Sequence, residues 1–194
     1  MGRRALVVYA HPCEESFAGA LHAQTVAGLS KGGWEVDDCD LYAEGFSPVL
    51  TAEERRNYHN LDVNTLPVQG YVDRLRAADA LILVFPVWNM YYPAMLKGFF
   101  DRVYLPGVSF KMQNGVTVPA LSNIRKLGAV CTYGGARWKA RLAGDPPRRA
   151  VMRAAWGSTR LASRRFLALY DMNRATEVRR KAFLGQVGQE METF

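Results

Sequence analysis

The chain has 194 residues, 49% hydrophobic and 22% charged, with a net charge of +7; this length suits one domain, residues 1–194, with a sizeable core. No apolar run approaches the roughly 20 residues of a membrane span, and no signal-peptide pattern opens the chain. Three scattered cysteines (Cys13, Cys39, Cys131) form neither a disulfide framework nor a metal spacing, so no metal is expected and a reducing, cytoplasmic setting is.

In chain order, residues 5–9 are apolar and largely β-branched or aromatic, as in a strand buried on both faces. A polar break follows, and Ser16, Phe17, Ala20 and Leu21 open a helix over 16–31 that the Gly32-Gly33 pair ends. The free N–H groups of such a helix favour an anion, and phosphate is the natural guest. Ser16 can cap those amides or donate to the ligand, and His11 stands at the strand's end within reach of it. Residues 34–41 alternate enough for an outer strand. Residues 42–67 read as an excursion, with Thr51 to Glu54 as a capping-box start for a short helix.

A helix is expected over 68–78, with Val72 and Leu75 at helical spacing. Residues 80–85 are the most hydrophobic run and the best candidate for a central strand. They empty into Pro86-Val87-Trp88-Asn89-Met90-Tyr91-Tyr92-Pro93, and Pro93 suits the first turn of the next helix. There Met95, Leu96, Phe99, Phe100 and Val103 make one apolar stripe, with Lys97, Asp101 and Arg102 expected outside. Residues 106–123 read as a long surface loop. A fourth strand over 127–132 runs into Tyr133-Gly134-Gly135, and 136–147 read as irregular and basic. A helix over 148–156, a last strand over 165–170 and a helix over 174–191 complete the chain. In the last helix Val178, Ala182, Phe183, Val187 and Met191 are expected to face inward.

Alternating strands and helices predict an α/β doubly wound five-stranded parallel sheet, order 2-1-3-4-5, with helices on both faces. Such sheets bind ligands beyond the carboxyl ends of their strands, at the switch point. Three loops should meet there: residues 11–16 with amides for phosphate, 86–92 with an aromatic slab, and 132–135 with glycines that admit a ligand closely. A flavin nucleotide, with its anionic tail, planar ring and hydrogen-bonding edge, matches all three. Neither G-x-G-x-x-G nor G-x-x-x-x-G-K-[ST] is present.

Charge is uneven: residues 1–100 carry 8 basic and 12 acidic side chains, and residues 101–194 carry 17 and 6. A basic half can attract nucleic acid, an acidic membrane surface or a phosphorylated cofactor, but the first expectation is a solvated arginine-rich surface with one or two functional arginines. No nucleic-acid motif accompanies it, so no nucleic-acid partner is expected.

Residues 9–21 ("YAHPxxxSFxxAL"), 78–103 ("ADALILVFPVWxxxxPAMLKGFFDRV") and 132–135 ("TYGG") together resemble the flavodoxin-like NAD(P)H:quinone oxidoreductases, including the ancillary reductases of potassium-efflux transporters. The resemblance implies that His11, Ser16, Phe17 and Ala18 hold the flavin phosphates and that Pro86, Val87, Trp88, Asn89 and Met90 line the ring. It implies that Thr132, Tyr133, Gly134 and Gly135 close the pyrimidine side. It implies ping-pong transfer of two electrons from NAD(P)H to a quinone, with Gly134 and Gly135 amides and a nearby cation stabilising the reduced ring. A tyrosine and a histidine that eukaryotic members place after this loop are missing here, and Arg137 or Arg141 is the substitute cation. The basic surround favours the extra phosphate of NADPH. FAD is expected, with FMN the alternative, because His11 matches the position that meets the diphosphate in FAD-binding members.

The family further implies a homodimer, for which 42–67, 94–104 and 106–123 are the candidate surfaces. A regulatory subunit docking on a membrane transporter is the second reading, and a one-electron flavodoxin-type carrier fits the basic chain poorly. Cys13 reads as an inert small residue of its loop, with oxidation of a thiol beside a helix N-terminus as the alternative.

Overall fold

The computed structural model describes residues 2–194. Five parallel strands form one sheet: β1 (Arg3–Tyr9), β2 (Trp34–Asp40), β3 (Ala80–Val87), β6 (Lys126–Tyr133) and β7 (Ser163–Leu169), in the order β2-β1-β3-β6-β7. With the short hairpin strands β4 (Phe110–Gln113) and β5 (Val116–Pro119) set apart, this is the expected 2-1-3-4-5. In β3, Leu81, Leu83 and Phe85 enter one core, while Ala80, Ile82 and Val84 enter the other. Both faces are covered, so the strand reads as unbroken hydrophobicity.

Helices α1 (Phe17–Lys31) and α7 (Glu177–Glu192) cover one face. They pack closely enough that a Cβ on Gly28 would lie 2.8 Å from the Gly188 carbonyl oxygen. On the other face lie α3 (Gln69–Ala77) and α4 (Ala94–Val103). The excursion holds α2 (Ala52–Asn57), whose Thr51–Glu54 capping box forms as expected. A Cβ on Gly98 would stand 2.3 Å from the Pro48 backbone, so the helix admits this segment only because residue 98 has no side chain.

Four expectations need correction. Residues 106–123 are not a featureless loop: β4 and β5 pair through a turn at Asn114 (φ +52°) and Gly115 (φ +76°), the Asn-Gly signature of a tight hairpin. Residues 136–147 are not irregular, since α5 (Arg137–Leu142) and the short α6 (Pro146–Arg149) occupy them, continued by a π-helical turn at Ala150–Ala155. Arg102 does not point outward: it is 9% exposed and engages Glu54. In α7, Phe183, Val187 and Met191 are buried, but Val178 is 79% exposed and Ala182 is exposed. Gly188 takes the buried place between Val187 and Met191, because the close approach of α1 needs a small residue there.

Candidate functional site

β1, β3 and β6 end side by side, and their loops surround one open cleft of about 570 Å³. Its walls include His11, Ser16, Phe17 and Ala18 after β1, residues 86–89 at the end of β3 and just beyond it, and Thr132 and Gly134 at the end of β6. The β7–α7 connection adds Met172 and Asn173, which the sequence reading missed. Two residues just past a strand, one apolar and one polar, carry no periodic signal; only their place after the fifth sheet strand could have marked them.

The β1 end is a set of hydrogen-bond donors. Ser16 caps α1, its Oγ accepting from the Gly19 amide at 3.0 Å, which leaves its O–H free to donate. The Phe17 and Ala18 amides have no hydrogen-bond partner among the described residues. No acidic side chain stands in the first turn of α1, although Glu14 and Glu15 directly precede its cap. Nδ1 of His11 lies 3.0 Å from the Cys13 amide nitrogen and 3.2 Å from the Cys13 carbonyl oxygen. The amide proton is fixed on its nitrogen, and a second proton on Nδ1 would face it. Nδ1 therefore accepts, and Nε2 carries the N–H.

The β3 end is aromatic and tightly turned. Pro86 sits within the strand without losing a ladder bond. Val84 presents its carbonyl to Ala10 on the β1 side, and Pro86, two residues on, faces the same side after β1 has ended. Trp88 and Tyr91 exchange two backbone hydrogen bonds of 2.8 Å across Asn89 and Met90, both left-handed at φ +48° and +62°. Asparagine tolerates that conformation; a methionine there stores strain of about 1 kcal/mol. The turn holds Trp88, Met90 and Tyr91 partly exposed at the rim, with the Trp88 ring 5.6 Å from that of His11.

At the β6 end, a Cβ on Gly134 would come within 3.1 Å of Asn173 Nδ2. The Gly135 carbonyl accepts from the Asp171 amide at 2.8 Å, which ties the fourth and fifth loops together. A Cβ on Gly135 would meet only Lys139 Cδ, at 3.9 Å, so nothing in the fold itself demands glycine there.

The remaining residues of the sequence reading stand apart from the cleft walls. Met90 is at the rim. Tyr133 is 3% exposed, and its phenol donates to Asp145 Oδ1 at 2.6 Å on the far side of the sheet. Burial first, then the neighbouring Cys131 and Asp145, pushes that phenol's pKa far up. Arg137 lies over the Tyr170 ring at 5.8 Å and lines a separate, smaller cavity, and Arg141 lines a third. Apart from His11 no ionisable side chain among the described residues borders the main cleft.

A profile of the flavodoxin-like fold family matches residues 3–191. The chain belongs to the flavodoxin-like fold family. It is 36% identical over 119 residues to an uncharacterized NAD(P)H oxidoreductase of Haemophilus influenzae, covering 61% of this chain and 58% of that protein. Over 148 residues it is 31% identical to the Rattus norvegicus protein named NAD(P)H dehydrogenase [quinone] 1, covering 68% and 54%. The chain thus spans a little over half the length of these relatives. A solved structure from Streptococcus mutans superposes with a TM-score of 0.85 at 26% identity, covering 98% of this chain and all of that one.

Within this family the cleft is the place to test for a flavin. Its donor set fits a phosphate, since two unpartnered amides, a hydroxyl and an imidazole N–H converge without a competing carboxylate in the wall. Its middle fits a planar ring edge and face, between Trp88 on one loop and Gly134 on another. Among the described residues no group of three or more His, Cys, Asp or Glu side chains could hold a metal ion. No helix among them is long and apolar enough to cross a membrane.

Proposed function

We propose that this protein is a flavin-dependent NAD(P)H:quinone oxidoreductase, in which one cleft serves reductant and quinone-like acceptor in turn. The observation that carries the reading is the convergence of the α1 donors, the Trp88 turn and Gly134 on that cleft. Bound flavin supplies a ring that accepts a hydride and gives it up again. The Phe17 and Ala18 amides, the Ser16 hydroxyl and His11 Nε2–H would hold the phosphates. Pro86, Val87, Trp88 and Asn89 would flank the ring, with Met90 at the rim, while Thr132 and Gly134 would meet its polar edge. Backbone N–H groups of 134 and 135 are the preorganised donors for negative charge that builds there; Tyr133 contributes backbone only. Arg137 would add positive charge from the adjoining cavity rather than by contact.

FAD is our first choice, because its diphosphate would use both the α1 amides and His11, and FMN is the alternative. A homodimer is also part of the proposal: Trp88, Met90 and Tyr91 at the rim are 38% to 41% exposed, and Leu61 and Leu66 in the excursion exceed 60%. The test is an absorption spectrum after incubation with FAD or FMN and desalting. Retained flavin, bleached by NADPH or NADH and restored by menadione, is the expected result. Folded protein that retains neither flavin overturns the proposal.

A further inference from the structure

On the outer side of β7 lies a second cleft, of about 540 Å³, walled by Arg141, Arg148, Arg149, Arg153 and Arg164. Its one carboxylate, Asp145, already accepts from the Tyr133 phenol. None of the five arginines is in an ion pair among the described residues. Five like charges in one concavity repel one another, and an anion placed among them relieves that repulsion. Elsewhere the protein pairs its arginines when carboxylates are near, as Arg4 and Arg74 do on Asp37.

Two apolar side chains share the lining of this cleft. Phe166 and Met152 line it, and the Arg148 guanidinium stands 5.6 Å over the Phe166 ring. Aromatic, thioether and guanidinium faces suit a planar base; Arg164 already donates to the Met152 carbonyl and stacks over Trp156 at 4.1 Å, which leaves the Arg149 and Arg153 forks for phosphate oxygens. The shape is concave rather than an extended stripe, which separates it from a surface that tracks a nucleic-acid backbone.

We propose that this arginine cleft binds a phosphorylated nucleoside, the base against Phe166 and the phosphate between Arg149 and Arg153. Two sources carry that chemistry: a free nucleotide, or the phosphate-bearing adenosine end of NADPH. The second is raised by shared lining: Arg148 and Phe166 also line the smaller cavity with Arg137 and Tyr170, at the end of β7 from which the chain runs on to Met172. Only that second source rests on the oxidoreductase reading.

The probe is adenosine 2′,5′-bisphosphate, titrated by calorimetry into flavin-free and flavin-loaded protein, wild type and the Arg149→Gln/Arg153→Gln double variant. Both arginines are exposed, so the variant should fold, and its melting curve checks that. Expected is binding to wild type in both forms, weakened at least tenfold in the variant. Loss of binding together with a tenfold fall in the NADPH-over-NADH ratio of kcat/KM assigns the cleft to the reductant; loss with that ratio unmoved assigns it to a free nucleotide. No binding to wild type at millimolar probe, or equal binding to the variant, overturns the proposal. So does binding of a short RNA or an acidic peptide where the nucleotide fails. Nucleotide binding that survives in protein showing no turnover would sink the oxidoreductase reading and leave this one standing.

Discussion

Arg102 Nη2 and Glu54 Oε1 meet at 2.6 Å although 48 residues separate them, and their side chains are only 10% and 9% exposed. The same carboxylate accepts from the Thr51 amide at 2.8 Å, so one group caps α2 and neutralises a buried guanidinium from α4. Burial pulls the Glu54 carboxyl up, but the Thr51 and Arg102 hydrogen bonds outweigh it and hold its pKa below the ordinary 4.5. A depressed carboxyl stabilises the fold above its unfolded pKa, and that contribution is lost as pH falls through the lower folded value. Glu54→Gln should therefore cost about 3 kcal/mol at neutral pH, because it strands a buried charge. Thermal melts of both proteins from pH 7 to pH 3 check this: the gap should narrow only below about pH 4.5.

The imidazole of His11 is fixed by Cys13, and its free N–H is one of the donors proposed to meet phosphate. A hydrogen bond to a charged oxygen is worth about 1.5–3 kcal/mol. His11→Phe should therefore weaken flavin binding roughly 10- to 100-fold, with little change in melting temperature of the flavin-free protein. Fluorescence-quenching titrations with FAD and FMN measure it. An effect confined to FAD would place His11 at the diphosphate, and an equal effect on both would place it at the phosphate they share.

Most of this architecture was legible because continuous apolar runs such as 80–85 have one simple reading, a strand covered on both faces. The loops after β1, β3 and β6 followed from that, and they do surround one cleft. What escaped depends on partners distant in sequence. Arg102 reads as a surface residue until Glu54 is brought to it. Val178 fits the helical spacing but is exposed, while the buried position falls to Gly188, which no hydrophobic pattern would choose. The β4–β5 hairpin was hidden differently: its Asn114-Gly115 turn was in view, but strands of four residues, mostly exposed, have no alternation to show. Asn173 entered the cleft wall with no local signal, held by its contact with Gly134.

The three thiols should separate cleanly in reactivity. Cys39 is fully buried, and burial, against the opposing pull of Arg74, pushes its pKa to about 12. Burial also raises Cys131 far above the ordinary thiol range. Cys13 alone is exposed. Since the thiolate is the reacting form, Ellman's reagent at pH 8 should modify one thiol in the native protein and three in denaturant. FAD should slow the native reaction, because Cys13 lies in the loop that holds His11; two fast-reacting thiols would contradict the burial of Cys39 and Cys131.

Gly135 offers the sharpest separation of fold from function. Its φ is not in the left-handed region, and an added Cβ would meet nothing nearer than Lys139 Cδ at 3.9 Å. Its carbonyl bond from Asp171 is unaffected by a side chain. Gly135→Ala should therefore change stability by no more than about 1 kcal/mol, the ordinary glycine-to-alanine range. If the 134–135 amides approach a bound ring, the new methyl stands in that approach, and hydride transfer should fall by about 10²-fold, the scale of losing one oxyanion-type donor. Gly134→Ala makes the comparison, since its Cβ also crowds Asn173 and should lower both melting temperature and turnover. Stopped-flow bleaching of the flavin by NADPH, run beside melts, reads both quantities. Unchanged bleaching in Gly135→Ala would move the polar edge of the ring away from this loop.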